Sequence, residues 1–416
     1  MLHSEALALI FKEKRFVEHK QKLIITKWRQ GILSMLLEDD TEIEFHYEES
    51  SEQYVGNIYI AKVKDVVKNI NAAFVEIMPG VKCYLSIEDA THPIYLNRLN
   101  QNTKAKLVEG DEILVQITKD RVKTKDAVVT TNLSFTGRYA VLTTGNHKLG
   151  VSAKLSKEKR ETIKKELLPY MPEDAGIVIR TNAQYATTDE IVQELQILNE
   201  KRKQLVDTAM HRTCYSIMYR MPAKYLTLIR DLNQERLCEI VTDDKELYQD
   251  LIEHTEDFGE GYTKLLKHYH DELLPLHKLY SIESRLEKAL NKRVWLKSGG
   301  YLVIEPTEAM TVIDVNTGKY DGKKNLQDTF LKINLEAAKE VARQLRLRNI
   351  SGIIMIDFIN MESPQNRELL MDTMRTYANE DRIKTEVHDM TVLNLVEMTR
   401  KKVDQPLYEK AAIFGG

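Results

Sequence analysis

Three cysteines, Cys83, Cys214 and Cys238, are all that 416 residues contain, and they stand too far apart to form a disulfide scaffold. A reducing compartment is therefore expected. Glycine (17) and proline (9) are too sparse for a collagen-like or low-complexity chain. No apolar run approaches the roughly 18 residues that a membrane span needs. Met1 to Arg15 places its apolar residues ahead of its basic ones and has no small-residue cleavage site, unlike a secretory signal. These absences predict a soluble, cytoplasmic protein without stable membrane insertion. Walker A and GxGxxG patterns are missing, so nucleotide hydrolysis and dinucleotide redox chemistry have no anchor; nor is there an HExxH. Excess charge is lacking as well: 60 basic against 63 acidic residues give −3, where nucleic-acid binders usually carry a basic surplus.

What is present is a folding composition, 43% hydrophobic and 30% charged, enough for two to four domains at roughly 100 to 200 residues each. The small net charge conceals segregation. Glu38, Asp39, Asp40, Glu42, Glu44, Glu48, Glu49 and Glu52 form an acidic block without a single Lys or Arg. From Lys119 to Lys165, twelve bases face four acids. Part of that run, KLSKEKRETIKKELL, has helical spacing and reads first as a solvated helix face, but the strand-like segments before it favour a surface for a polyanion.

Residues 53–132 alternate β-branched and aromatic residues with polar ones and turn at Met78-Pro79-Gly80 and Glu109-Gly110-Asp111. About five short strands, with Tyr59, Lys62, Lys64, Lys68 and Tyr84 among them, suit a small barrel of the OB type, in which Phe74 and Val75 are expected in the core. Residues 133–220 mix strands with two helical patterns, the second opened by Asp189 and Glu190 near its positive end.

Between Tyr301 and Val396 the spacing predicts strands at Tyr301 to Glu305 and Met310 to Val315, a helix at roughly Asp328 to Arg348 stopped by Asn349-Ile350-Ser351-Gly352, and a buried strand, GIIMIDFIN. Asp314 and Asp357 each end an apolar strand, the edge where α/β proteins place ligands. On neighbouring strands the two would converge as hard oxygen ligands of the kind that hold Mg²⁺, with Asn316 on the same face. Asp314-x-Asn316-x-Gly318 is not an EF-hand, because the sixth and twelfth positions are Lys319 and Asn325. His268, His270 and His277 with Asp271 lack the spacing of a metal site.

These segments, TEAMTVIDVNTGKYDG, NLEAAKEVARQLRLRNISGIIMIDFINM and NLVEMTRKKV, together resemble the catalytic domain of the bacterial ribonuclease E/G family. YVGNIYIAKVKDVVKNINAAFVEIMPGVKCYLSI is similar to that family's S1 RNA-binding domain, and GIVIRTNA to its 5′-end sensing segment. The resemblance implies an α/β multidomain fold. An OB-type S1 barrel (51–132) would be inserted in an RNase H-like domain (1–50 and 221–290), followed by a 5′-sensor domain (133–220), a DNase I-like α/β catalytic domain (291–402) and a tail (403–416). It implies an endoribonuclease dependent on Mg²⁺, with Mn²⁺ as a substitute. Such an enzyme cuts single-stranded, AU-rich RNA, prefers 5′-monophosphorylated ends and leaves 5′-phosphate and 3′-hydroxyl ends, in rRNA and tRNA processing and mRNA decay.

Carried over by residue, Asp314 and Asp357 would bind the metal and Asn316 would position water or phosphate. Gly137, Val141, Arg180 and Thr181 would hold the 5′-phosphate, joined by Lys384 where the family commonly has an arginine. Tyr84, Tyr95, Lys119 and Lys125 would contact RNA on the barrel. The family often continues into a Cys-x-x-Cys link through which two protomers share zinc; no cysteine follows Cys238, which puts structural zinc in doubt and leaves a homodimer held by protein contacts alone, or a monomer. The rival reading is a non-catalytic RNA-binding adaptor built on the same barrel.

Overall fold

A computed structural model describes residues 19–49, 55–90, 92–98, 106–121, 125–255, 261–318 and 326–414. The N-terminal segment read for a signal, Glu52 of the acidic block, Lys123 of the basic run, and Lys319 and Asn325 lie outside these residues. The chain forms two compact units: residues 51–232 make one, and residues 1–50 with 233–416 make the other.

Strands β1 (Gln21–Trp28), β2 (Gly31–Glu38) and β3 (Thr41–Glu49), the first among the described residues, form an antiparallel meander. Asp39 and Asp40 both adopt left-handed backbone (φ 47° and 61°), the two-residue turn whose twist matches a hairpin. The acidic block is thereby folded into β2 and β3.

In the other unit, β4 (Ile58–Val67), β5 (Ala72–Met78), β6 (Val81–Ser86), β7 (Glu112–Lys119) and β8 (Ala127–Thr130) run in the order β4-β5-β6-β8-β7, and β7 pairs back on β4. This closes a five-stranded barrel around Ala61, Val63, Val75, Ile77, Leu85, Val115 and Val129. A second sheet, β11-β12-β10-β9, follows from β9 (Ser134–Thr136), β10 (Ala140–Thr143), β11 (Leu149–Val151) and β12 (Gly176–Ile179). Helices Lys157–Leu167 and Thr188–Ala209 pack on it. Ser156 Oγ accepts from the Lys159 N–H (3.2 Å) at the start of the first, and a reciprocal Thr187–Glu190 capping box starts the second. β13 (Ile217–Tyr219) joins the barrel along β4.

Back in the first unit, β14 (Leu237–Thr242) and β15 (Leu266–His268) extend the meander in parallel, giving the order β15-β14-β1-β2-β3. The last sheet holds β16 (Arg293–Trp295), β17 (Tyr301–Pro306), β18 (Met310–Asn316), β19 (Gly352–Asp357), β20 (Thr385–Met390) and β21 (Leu395–Arg400), in the order β16-β17-β18-β19-β21-β20. Only β18 and β19 pair in parallel here, and the helix Leu326–Leu347 lies between them in the chain, as a parallel crossover requires.

That helix ends as its sequence predicts. Asn349 turns left-handed (φ 49°), its N–H donates to the Arg346 carbonyl, and the Ile350 N–H reaches back to Leu345 (3.0 Å), a Schellman closure. Ile333, Ala337, Val341 and Leu345 pack against Leu302, Ile304, Ile313, Val315, Ile354 and Ile356. Each fully buried Ile or Leu contributes roughly 1.5–3 kcal/mol.

β19 departs from the continuously buried strand its apolar run suggested. Ile354 and Ile356 are sealed, while Ile353 is 48% exposed, because helices cover only one face of the sheet. The open face is where both strand-end aspartates point. Among the described residues no helix is long and apolar enough to cross a membrane, and all three cysteines are unpaired.

Candidate active site

Asp314 and Asp357 are register partners on parallel β18 and β19, one position beyond the buried pair Ile313 and Ile356. Both carboxylates are exposed on the uncovered face. Asn316 Nδ2 donates to Asp314 Oδ2 at 2.7 Å, which fixes that carboxylate's orientation. Burial and the facing Asp314 charge push the Asp357 carboxyl above its ordinary value. Just past Asp357, the fully buried Asn334 donates to the Ile359 carbonyl (2.7 Å) and accepts from the Ile359 N–H (3.0 Å), clamping the chain as it leaves the strand.

A second cluster lies in the other unit. Arg180 Nη1 donates to the Gly137 carbonyl (2.8 Å) and to Asp231 Oδ1 (2.7 Å), and the Arg180 N–H donates to the Tyr139 carbonyl. Glu194 accepts from the N–H groups of Arg138, Tyr139 and Ala140 at 2.7–2.9 Å. A Cβ on Gly137 would lie 2.4 Å from that carboxylate, so the close approach needs glycine. Burial would raise Asp231, but Arg180 and Arg230 more than offset it and hold the carboxyl down to about 2. The Thr181 and Ser152 hydroxyls lie 2.9 Å apart, and Val141 sits on the same sheet opposite Val178. Gly137, Arg180 and Thr181 thus stand together with Val141 on the adjoining strand. Lys384 belongs to the first unit, where it pairs with Glu386 at 2.8 Å.

On the barrel, Phe74, Tyr84, Val128 and Lys119 form one outward row across β5, β6, β8 and β7. The Phe74 and Tyr84 rings meet edge to face at 6.2 Å. Lys119 and Lys125 are exposed. Two aromatic residues exchange the places expected of them. Phe74, read as core, is only half-buried and faces outward, while its neighbours Ala73 and Val75 fill the core. Tyr95, read as an RNA contact, is wholly buried, and the Arg98 guanidinium covers its ring at 4.0 Å. It presents no face to a base.

A model of the Ribonuclease E/G family matches residues 134–403. Ribonuclease G of Salmonella typhimurium is 35% identical over 368 residues, covering 86% of this chain and 75% of that protein. The chain belongs to the Ribonuclease E/G family. Ribonuclease G of Escherichia coli K12 is likewise 35% identical, over 373 residues (88% of this chain, 76% of that protein). Ribonuclease E of Synechocystis sp. is 33% identical over 369 residues, with 87% and 54% covered.

In this Ribonuclease E/G member the strand-edge donors fit a hard divalent cation. Two carboxylates are held side by side with their charges opposed, and a cation between them would relieve that opposition. Among the described residues no three His, Cys, Asp or Glu cluster as a metal site, so water and phosphate would complete the shell. Two of the three histidines set aside above are engaged as aromatics, His268 beside Tyr248 and His277 beside Trp28. Asn334 escaped the sequence reading; its signal is an amide in the apolar stripe of Ile333, Ala337, Ala338 and Val341. Glu194 gave no signal, since its three partners are backbone groups far away in the chain.

Proposed function

We propose that this chain is an endoribonuclease whose reaction runs at Asp314 and Asp357 with a bound divalent cation, Mg²⁺ or, in its place, Mn²⁺. The observation that carries the reading is the register of β18 on β19, which sets the two carboxylates side by side on an open face. The relatives are named ribonucleases. When bound, such a cation activates water for in-line attack and offsets charge growing at phosphorus. Asp314 and Asp357 would hold it. Asn316 keeps Asp314 oriented through its 2.7 Å hydrogen bond, and Asn334 steadies the segment beyond Asp357. The products would carry 5′-phosphate and 3′-hydroxyl ends. Titrating Mg²⁺ against cleavage of a defined single-stranded oligonucleotide tests the reading; tight binding with no cation-dependent cleavage would favour the adaptor instead.

The preference for AU-rich, 5′-monophosphorylated RNA is assigned to two further surfaces. Arg180 and Thr181, with Gly137 and Val141, would receive the terminal phosphate, a use suited to a guanidinium fork. Arg180→Ala should reduce the preference for monophosphate over hydroxyl ends in parallel cleavage assays; an unchanged ratio removes the sensor. The barrel row of Phe74, Tyr84 and Lys119, with Lys125, would bind single-stranded RNA by stacking and phosphate attraction. Phe74→Ala or Tyr84→Ala should each weaken oligonucleotide affinity roughly 10-fold, read by fluorescence anisotropy, given about 1–3 kcal/mol per stacked base.

The same reading assigns 51–132 to an S1 domain, 133–220 to a 5′ sensor, 1–50 with 221–290 to an RNase H-like domain and 291–402 to a DNase I-like domain. It places the enzyme in the cytoplasm, in rRNA and tRNA processing and mRNA decay.

A further inference from the structure

We propose that Arg293, Trp295 and Tyr301 form a stacking subsite for one base of the RNA, immediately beside the carboxylate pair. The inference rests on the reading of this sheet face as the place of RNA cleavage. Trp295 is 64% exposed, which a large apolar ring on an open sheet face does not need for the fold. Its ring centroid lies 5.2 Å from that of Tyr301, with the planes tilted at 59°. The Arg293 guanidinium sits 4.5 Å from the Tyr301 centroid and 5.8 Å from that of Trp295.

Register ties these residues to the site. Trp295 opposes Tyr301, which opposes Asn316; Arg293 opposes Val303, which opposes Asp314. Directly opposed residues share a face, so the aromatic pair, the arginine, Asn316 and both aspartates all project to the uncovered side. Tyr301 is a diagonal neighbour of Asp314, about 7–8 Å away by Cα spacing.

The platform is also held still. The turn between β16 and β17 donates the Lys297 and Ser298 N–H groups to the Glu336 carboxylate at 2.6 and 3.1 Å. A Cβ on Gly300 would lie 2.8 Å from the Asn316 carbonyl oxygen, and one on Gly318 would lie 2.3 Å from that of Gly299. The hairpin bearing the rings is therefore packed directly on the end of the strand that carries Asp314 and Asn316.

The chemistry of the patch selects its occupant. Two aromatic rings with a guanidinium beside them suit a nucleobase and its phosphate, stacked without hydrogen-bond readout. Such contact tolerates any base, with the strongest stackers held best.

Trp295 reports its own occupancy. Only one other tryptophan exists, Trp28, and its indole nitrogen is buried. The full chain carrying Asp314→Asn would be titrated with a single-stranded oligoribonucleotide, following tryptophan emission and, independently, anisotropy of a 5′ label. Emission should be quenched in step with binding. Trp295→Ala should abolish the quench and raise Kd roughly 5- to 100-fold, whereas Trp295→Phe should keep most of the affinity. Saturating anisotropy with unchanged emission in the Trp295-bearing chain overturns the subsite without any variant having to fold. Loss of self-association on sedimentation in Trp295→Ala, with RNA affinity unchanged, overturns it in favour of a second copy of the chain. Failure of the underlying reading looks different: the wild-type chain would not cleave RNA with Mg²⁺ at all.

Discussion

Asp314→Asn and Asp357→Asn should each lower RNA cleavage by about three orders of magnitude or more, close to 4 kcal/mol of lost transition-state stabilisation, while RNA binding largely survives. The same exchanges should leave the fold as stable as before, or more so. In the absence of a divalent cation the two carboxylates oppose each other across a strand pair, and the Asp357 carboxyl is raised by burial and by the Asp314 charge. A raised carboxyl opposes folding once pH climbs through its folded-state value, so removing either charge relieves the native state at neutral pH. In chelator, then, the melting temperature of both variants should equal or exceed that of the parent. Adding Mg²⁺ should raise the parent's melting temperature through preferential binding to the native state, and should fail to raise that of the variants. Full cleavage activity in either variant would refute the assignment. So would a marked loss of stability in chelator, which would make the aspartates structural strand-end residues.

Much of this site could be read from the chain, because it is local in sequence. Asp314 and Asn316 share a strand face by simple alternation, and Asp357 follows an apolar run that could only be a strand. The helix between them closes on Asn349 for reasons of backbone conformation that sequence states openly. What could not be read is the phase of a strand relative to its partners. Phe74 and Tyr95 illustrate it: both are aromatic in β-rich segments, and only the register of β5 on β6 turns Phe74 outward beside Tyr84. Tyr95 pairs with Ile113 through an isolated bridge and points into the barrel core. The Arg293, Trp295 and Tyr301 group was hidden for the same reason, since it spans two strands and gains meaning only from its row. Charge was misleading in the opposite way. The acidic block reads in sequence only as one side of a charge segregation, yet its Glu38, Glu42 and Glu44 are matched by arginines from distant parts of the chain.

Glu44→Ala should destabilise the protein by about 3–5 kcal/mol at pH 7, the cost typical of removing one member of a buried ion pair. Glu44 lies on β3 and is 5% exposed. Arg346 donates to Oε1 at 3.0 Å, Arg382 pairs with Oε2, and His46 Nε2 lies 3.0 Å from the same oxygen. Beside it, Glu42 pairs with Arg285 (2.6 Å) and Arg343 (3.7 Å). Burial alone would push the Glu44 carboxyl up, but Arg382, His46 and Arg346 outweigh it and hold the group well below the usual range. A depressed carboxyl stabilises the fold above its unfolded-state value and loses that contribution as pH falls through its folded-state value. The difference between parent and Glu44→Ala in urea unfolding should accordingly be largest near neutrality and shrink as the parent is acidified below about pH 4. Arg343 and Arg346 belong to the helix that also carries Asn334, so this network fixes the phase of the element that steadies the chain beyond Asp357. Well below its melting temperature Glu44→Ala should still cleave RNA, since neither the carboxylate pair nor Asn316 touches Glu44. A stability loss under about 1 kcal/mol at pH 7, or one that does not change with pH, would mean that Arg346 and Arg382 find solvent or other partners once Glu44 is gone.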